Sequence, residues 1–138
     1  MIVREVMTKD VVTIDRDETV LDGCKKYQKH RVGCLIVIDK EFPVGIITER
    51  DIIEKIILTN KNPKKTKIED IMSSNLKTIH ASAKIEDAAE MMKKNRIKKL
   101  PVVLNNRIAG IITVTDISNV LPDFSRRGIQ EAKSVKLV

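Results

Sequence analysis

Two threonine–aspartate pairs at one spacing are the residues of this chain best suited to chemistry. Thr48 and Asp51 lie in GIITERDI, residues 45–52, and Thr113 and Asp116 lie in GIITVTDI, residues 110–117. A hydroxyl three residues ahead of a carboxylate, where a strand gives way to a helix, is a capping arrangement. The threonine accepts from an early backbone N–H and the acid reaches back. The same groups suit a second use. An aspartate on a first helical turn can accept hydrogen bonds from the two vicinal hydroxyls of a ribose, and the free N–H groups of a helix N-terminus favour phosphate. Gly45 and Gly110, on the preceding strands, allow close approach of a ligand or of another backbone segment. These features describe half of a nucleotide site, and on the sequence alone both uses of Thr-x-x-Asp stand.

The other half must be cationic. Lys98 and Lys99 follow Arg96 in NRIKKL, and Arg31 stands at the matching place in HRVGCL. These side chains can neutralise phosphate. Their structural alternatives are ordinary surface charge for the lysines and ion pairing at a helix end for the arginines. Gly33 and Cys34 take the places of the two lysines in the first copy, and Arg50 stands where the second has Thr115. The two clefts are therefore expected to differ, one preferring the more highly charged ligand.

The elements that position these residues are read from a duplication. Displacing the chain by 65 positions, the separation of Gly45 from Gly110, aligns residues 4–53 with residues 69–118 without a gap. Met7 falls on Met72, Thr13 on Thr78, Asp22 on Asp87 and Arg31 on Arg96. Two copies are too few for a stacked solenoid, which points to two units packed face to face about a pseudo-two-fold axis. Within each copy Val20, Cys24 and Tyr27, or Ile85, Ala88, Ala89 and Met92, recur at helical spacing. Thr19 is placed to cap the first of these helices, and Ser82 lies near the start of the second. The runs LIVI with VGII, and LPVV with IAGII, then read as antiparallel strand pairs. Asn105-Asn106 suits the second hairpin turn, because Asn tolerates positive φ. A further helix is expected at Thr48 and Thr113, carrying Ile52, Ile53, Ile56 and Ile57 in the first copy. The predicted unit is α+β, a lead-in strand followed by helix, strand, strand and helix, with unit boundaries at 1–60 and 61–121. Residues 59–67 form a lysine-rich linker read as a solvated loop, and residues 122–138 an irregular tail.

With 138 residues the chain is large enough for an ordinary core, and 42% hydrophobic with 33% charged residues is a globular composition. Cys24 and Cys34 show no Cys-x-x-Cys spacing and read as buried free thiols of a reducing compartment. No signal peptide or bilayer-length apolar run is seen, so a cytoplasmic location without membrane association is expected. The net charge of +7 calls for an anionic partner without choosing it.

The doubled VM…VVTI…HRVGCLIVID…PVGIITERDI and IM…LKTI…NRIKKLPVVL…IAGIITVTDI resemble a tandem pair of cystathionine β-synthase (CBS) domains, the Bateman module, over about residues 1–121. The resemblance implies two βαββα units related by a pseudo-two-fold axis and packed through their sheets, with ligand clefts between the two units. It further implies a homodimer forming a disc of four units, and regulatory binding of AMP, ADP, ATP, S-adenosylmethionine or methylthioadenosine, with no cofactor required. By the same resemblance Asp51 and Asp116 match the ribose acids, and Thr48, Thr113 and Thr115 the phosphate-side hydroxyls, with Arg50 in the Thr115 position. Lys98 and Lys99 fall where adenylate-binding members carry His and Arg. Thr13, Ile14, Thr78 and Ile79 fall on the strand that lines the adenine pocket. Gly33 and Cys34 depart from a phosphate site and suit an uncharged, sulfur-containing ligand better.

Rival functions are weaker. His30 and His80 stand in no nucleophile–base arrangement, no phosphate loop or metal-ligand cluster is present, and no catalysis is expected. The charge leaves room for nucleic-acid binding, although only 2% of residues are aromatic and base stacking would be poor. A ligand-independent regulatory subunit of a separate enzyme or transporter, docking through Arg126, Arg127 and the tail, is the third alternative.

Overall fold

The computed structural model describes residues 1–122. The C-terminal segment that carries Arg126 and Arg127 lies outside the described residues. In chain order the elements are α1 (Val3–Val6), β1 (Thr13–Asp15), α2 (Val20–His30), β2 (Cys34–Asp39), β3 (Phe42–Thr48) and α3 (Glu49–Ile52), which runs on into π-helical Ile53–Ile57. After a single 3-10 turn, Ile68–Asp70, come β4 (Ile79–His80), α4 (Ile85–Asn95), β5 (Lys99–Leu104), β6 (Arg107–Thr113) and α5 (Val114–Ser118). The result is α+β, with two three-stranded sheets ordered β1-β2-β3 and β4-β5-β6. In each sheet the first pair is parallel, bridged by a crossover helix, and the second is an antiparallel hairpin.

Both hairpins turn through two residues of positive φ, Asn105 (53°) with Asn106 (61°) and Lys40 (50°) with Glu41 (68°). Asn is a favoured residue there; Lys and Glu carry a Cβ cost that the sequence did not advertise. Both hairpins also shift register at the same place, between Val37 and Ile38 and between Val102 and Val103, just beyond the residues paired with Gly45 and Gly110. Leu35, Ile36 and Val37 are each at most 1% exposed, so this central strand is buried on both faces, as a continuous apolar run requires.

The compact units do not coincide with the sequence copies. One comprises residues 11–76 and the other residues 1–10 with 77 onwards. The reason is local. Ser73 exchanges backbone hydrogen bonds with Ile46 on β3, while Thr8 exchanges them with Ile111 on β6. Each copy's lead-in segment is thus laid beside the other copy's hairpin, and Val3 joins the core of Ala88, Met92, Leu100, Val102 and Ile112. The other core gathers Ile14, Val20, Leu35, Val37, Ile47, Ile68 and Ile71. The two repeated glycines make this possible. A Cβ at Gly110 would lie 2.7 Å from the Thr8 carbonyl oxygen and 2.8 Å from Met7 Sδ, and one at Gly45 would lie 2.5 Å from Met72 Sδ and 3.0 Å from the Ser73 carbonyl oxygen. The approach is made by backbone and methionine, which explains why Met7/Met72 and Gly45/Gly110 recur together.

The linker also does more than span a gap. The carbonyls of Thr66 and Pro63 accept from the N–H groups of Val20 and Leu21, at 2.9 and 3.0 Å. Thr19 caps the Asp22 N–H, and the Asp22 carboxylate returns to the Thr19 N–H and hydroxyl, so the first turn of α2 is satisfied from both directions. Helix α4 differs: its N-cap is Lys84, which makes no side-chain cap bond, and Ser82 instead pairs with His80 Nδ1 at 2.7 Å.

Gly110→Ala is expected to destabilise the protein by about 1–3 kcal/mol through overpacking against fixed backbone. Gly45→Ala should cost less, because the flexible Met72 thioether can yield. Paired urea titrations would test the ordering, and equal losses would refute it. Hydrogen bonds from the Thr19 N–H and hydroxyl hold the Asp22 carboxyl below its ordinary range. A depressed native value means stability that is present above the unfolded value and lost as pH falls through the native one. The stability gap between the natural chain and Asp22→Asn should therefore shrink on acidification, as urea midpoints at pH 7 and pH 3 would reveal.

Candidate functional site

The doubled Thr-x-x-Asp builds the same corner twice. At the end of β6, extended Thr113 accepts from the Asp116 N–H at 3.1 Å, and Asp116 Oδ2 accepts from the Thr113 N–H at 3.0 Å. At the end of β3, the Asp51 N–H donates to Thr48 Oγ1 at 3.3 Å, and the Thr48 N–H donates to Asp51 Oδ2 at 2.9 Å. The capping box is thus formed in both copies, with Asp in the place where Glu is usual. It also uses up N–H groups that a phosphate would want. The Val114 N–H donates to the Lys98 carbonyl at 3.0 Å and the Asp116 N–H to Thr113, so α5 offers a much reduced anion site at its start.

Around these shared bonds the corners diverge. Asp51 is 9% exposed, and its Oδ1 is held by Lys55 Nζ at 3.1 Å. Lys55 is anchored a second time on the Ile71 carbonyl, at 2.8 Å. Asp116 is half-buried, and the Thr8 hydroxyl lies 3.3 Å from each of its carboxylate oxygens. Val120 stands where the first copy has Lys55. Sequence reasoning missed both neighbours. Thr8 arrives through the chain crossing described above, and Lys55 lies on a segment read only for its isoleucines.

Thr113 of the second corner lines a cavity, and Glu49, next to Thr48, lines one in the first copy; neither aspartate is among the lining residues. That of the second copy, about 270 Å³, is lined by Lys98, Lys99, Thr113, Val114 and Thr115. That of the first copy, about 570 Å³, is lined by Tyr27, Gln28, Arg31, Val32, Gly33 and Glu49. In the second copy Lys98 and Lys99 are therefore brought together with Thr113 and Thr115, while Arg96 is not among the lining residues. In the first, Arg31 reaches the cavity but Arg50 is on the surface, its Nε 3.8 Å from a Glu54 carboxylate oxygen with its side chain 68% exposed. The Tyr27 hydroxyl donates to the Ile47 carbonyl at 2.6 Å, and burial raises its pKa above the ordinary phenol value, so it lines the cavity as a neutral group.

Arg31 and Arg96 are the C-caps of α2 and α4, both left-handed, with φ of 53° and 55°. Gly or Asn is usual at such a position. Among the described residues no carboxylate pairs with either guanidinium, so the ion-pair alternative for them is not realised there. Ile14 and Ile79 are 1% and 6% exposed, with their side chains in the two cores. Thr13, half-buried beside Ile14, gives its carbonyl to Lys26 Nζ at 2.6 Å, and Thr78 lies immediately before β4. Cys24 and Cys34 are half-buried where the sequence suggested buried thiols, partial burial raises the pKa of the Cys24 thiol, and neither cysteine is in a disulfide. Among the described residues no group of three or more His, Cys, Asp and Glu is placed to hold a metal, and no helix is long and apolar enough to cross a membrane.

Comparison with known proteins follows the duplication. The family description that matches is the CBS domain, over residues 3–58 and again over residues 68–123. An uncharacterised protein of Methanopyrus kandleri is 35% identical over 87% of this chain and 62% of its own length. The CBS domain-containing protein CBSX3, mitochondrial, of Arabidopsis thaliana is 34% identical over 83% of this chain and 58% of its own. The chain thus spans about three fifths of the length of these curated relatives. Among solved structures, the CBS domain pair of protein MJ0100 in complex with 5′-methylthioadenosine and S-adenosyl-L-methionine superposes with a TM-score of 0.70. It is 31% identical, over 89% of this chain and 97% of that one.

Thr48→Ala and Thr113→Ala are each expected to lower stability by about 1 kcal/mol, the usual loss for an N-cap, with Thr→Ser largely restoring it. Urea midpoints at an unchanged slope would check this. No loss in either variant would mean the corner is held by something other than its caps.

Proposed function

The chain belongs to the CBS domain family, and from that premise we propose that it is a regulatory module that senses an adenosyl ligand. The observation that carries this is the clustering of Lys98, Lys99, Thr113 and Thr115 around one cavity, with the half-buried carboxylate of Asp116 accepting from the Thr113 N–H. Ammonium groups and hydroxyls suit phosphate oxygens. A carboxylate oxygen that, among the described residues, meets beyond the cap a hydroxyl at 3.3 Å suits a ribose hydroxyl, which can replace that hydroxyl in kind. Capping and ribose binding are compatible, because the cap bond is made to Oδ2, and Oδ1 meets the Thr8 hydroxyl at 3.3 Å, which a ribose hydroxyl can replace. The ligands in view are AMP, ADP, ATP, S-adenosylmethionine and methylthioadenosine; the last two are supported by the complex of the MJ0100 pair.

The module works without catalysis of its own. Its signal is the difference in ligand affinity between two conformations, since a ligand that binds both equally shifts neither. A homodimer is part of the proposal. Ile53, Ile57 and Leu58, 49%, 64% and 73% exposed, supply an apolar face for a second copy. A protein target and a cytoplasmic location complete it.

Isothermal titration calorimetry of the ligand-stripped protein against AMP, ATP, S-adenosylmethionine and methylthioadenosine, at near-physiological salt, tests the proposal. Micromolar binding of at least one is expected. Asp116→Asn keeps an acceptor for the Thr113 N–H while removing the charge. It should weaken that binding by about 1.5–3 kcal/mol, the worth of hydrogen bonds to a charged group, with little change in Tm. A fall in Tm with affinity intact would reduce Asp116 to a cap. Silence from all four ligands would sink the sensor proposal and turn attention to nucleic acid or a protein as the partner for the +7 charge.

A further inference from the structure

The two corners are built alike, yet their aspartates are partnered differently. We propose that a phosphorylated adenosyl ligand is held at the second-copy corner alone, one per chain, and that Lys55 has withdrawn the first-copy acid from ligand binding. This rests on the sensor reading above and adds to it the occupancy of each corner.

Three independent differences carry it. The first is the state of the acid. Asp51 has Oδ1 on Lys55 at 3.1 Å and Oδ2 on the Thr48 N–H at 2.9 Å, and is 9% exposed. A ribose hydroxyl would have to displace an ammonium group that is itself fixed on the Ile71 carbonyl. At Asp116 the competitor is a neutral hydroxyl at a long 3.3 Å, and the position equivalent to Lys55 is Val120. Exchanging one hydroxyl for another is close to even; exchanging an ammonium for a hydroxyl at a buried carboxylate is not.

The second difference is the charge on the cavity walls. Lys98 and Lys99 face the second cavity, and no carboxylate is among its lining residues. In the first cavity Gly33 takes the Lys98 position, and Glu49 stands where the second has Val114, so the carboxylate of Glu49 opposes phosphate there. The third is the hydroxyl at position 115. Thr115 lines the second cavity, whereas Arg50 of the first copy turns to Glu54 on the helix surface. Arg31 alone remains to attract an anion to the first cavity, set against Glu49.

Calorimetric titration with ADP should give one site per chain. Hydrogen exchange with ADP bound should slow amides in residues 96–116 and leave residues 31–51 at their free rates. Lys98→Ala should weaken ADP at least about tenfold while weakening 5′-methylthioadenosine, which has no phosphate, less than about twofold. Two equivalents of ADP per chain, protection within residues 31–51, or an unchanged ADP affinity in Lys98→Ala would overturn the inference. Binding of 5′-methylthioadenosine without ADP would overturn it too and leave the sensor reading standing; failure of both ligands would overturn both.

Discussion

The close approach of a lead-in segment to a glycine on the last strand of each sheet is the contact on which the rest of the structure depends. At Gly110 the Thr8 carbonyl and the Met7 thioether occupy the space of a side chain, and Thr8 then exchanges backbone bonds with Ile111. With no Cβ in the way, residues 1–10 become part of the unit formed by the second copy. The same arrangement at Gly45 draws Met72 and Ser73 to β3. The contact also reaches the site. Fixing Thr8 on β6 brings its hydroxyl within 3.3 Å of Asp116, so one packing constraint decides a neighbour of the acid.

The corner built by Thr-x-x-Asp is the next dependent feature. β3 and β6 are extended to their last residue, and the chain must turn into a helix within one peptide. The threonine hydroxyl and the aspartate carboxylate close that turn with reciprocal bonds to backbone N–H groups, worth about 1 kcal/mol for the cap. The geometry is the same although the helices differ: α3 passes into a π-helical stretch at Ile53–Ile57, and α5 ends at Ser118. Ile52 and Ile56, four residues apart, share the face turned to the core, with Ile56 3% exposed, while Ile53 and Ile57 share the next face and are 49% and 64% exposed.

Much of this was legible before any coordinates. The gapless register between copies fixed the count and order of the main helices and strands, because each element recurs with its own period. Thr19 as a cap, Asn105-Asn106 as a turn and the buried stripe Ile85, Ala88, Ala89 and Met92 were all readable from local rules. The lead-in segments were not, since a one-turn helix such as Val3–Val6 has no period to detect and its partner is more than 70 residues away, at Ala81 and Ala83. The linker was readable in its exposed lysines but not in its carbonyls, because backbone acceptors leave no trace in residue type. At the site, the lysines and hydroxyls of the second copy were found by type and spacing. Lys55 escaped because an ion pair four residues along a helix is ordinary on a surface, and only the 9% exposure of Asp51 makes this one consequential.

The doubled phrase at the strand ends is therefore no count of ligands. Everything the copies share at the corner, Gly45/Gly110, Thr48/Thr113 and Asp51/Asp116, is required by packing and capping that both copies perform. Duplication would preserve those residues even if one corner never met a small molecule. The information about ligands lies in the positions that differ while the backbone does not: Gly33 against Lys98, Cys34 against Lys99, Glu49 against Val114, Arg50 against Thr115 and Lys55 against Val120. None of these differences alters the order of elements or the register of the hairpins, which match residue for residue. They alter only charge, hydrogen-bonding capacity and access around a constant scaffold. A fold whose scaffold residues recur and whose lining residues diverge is free to keep one corner for a ligand and leave the other to hold the chain together.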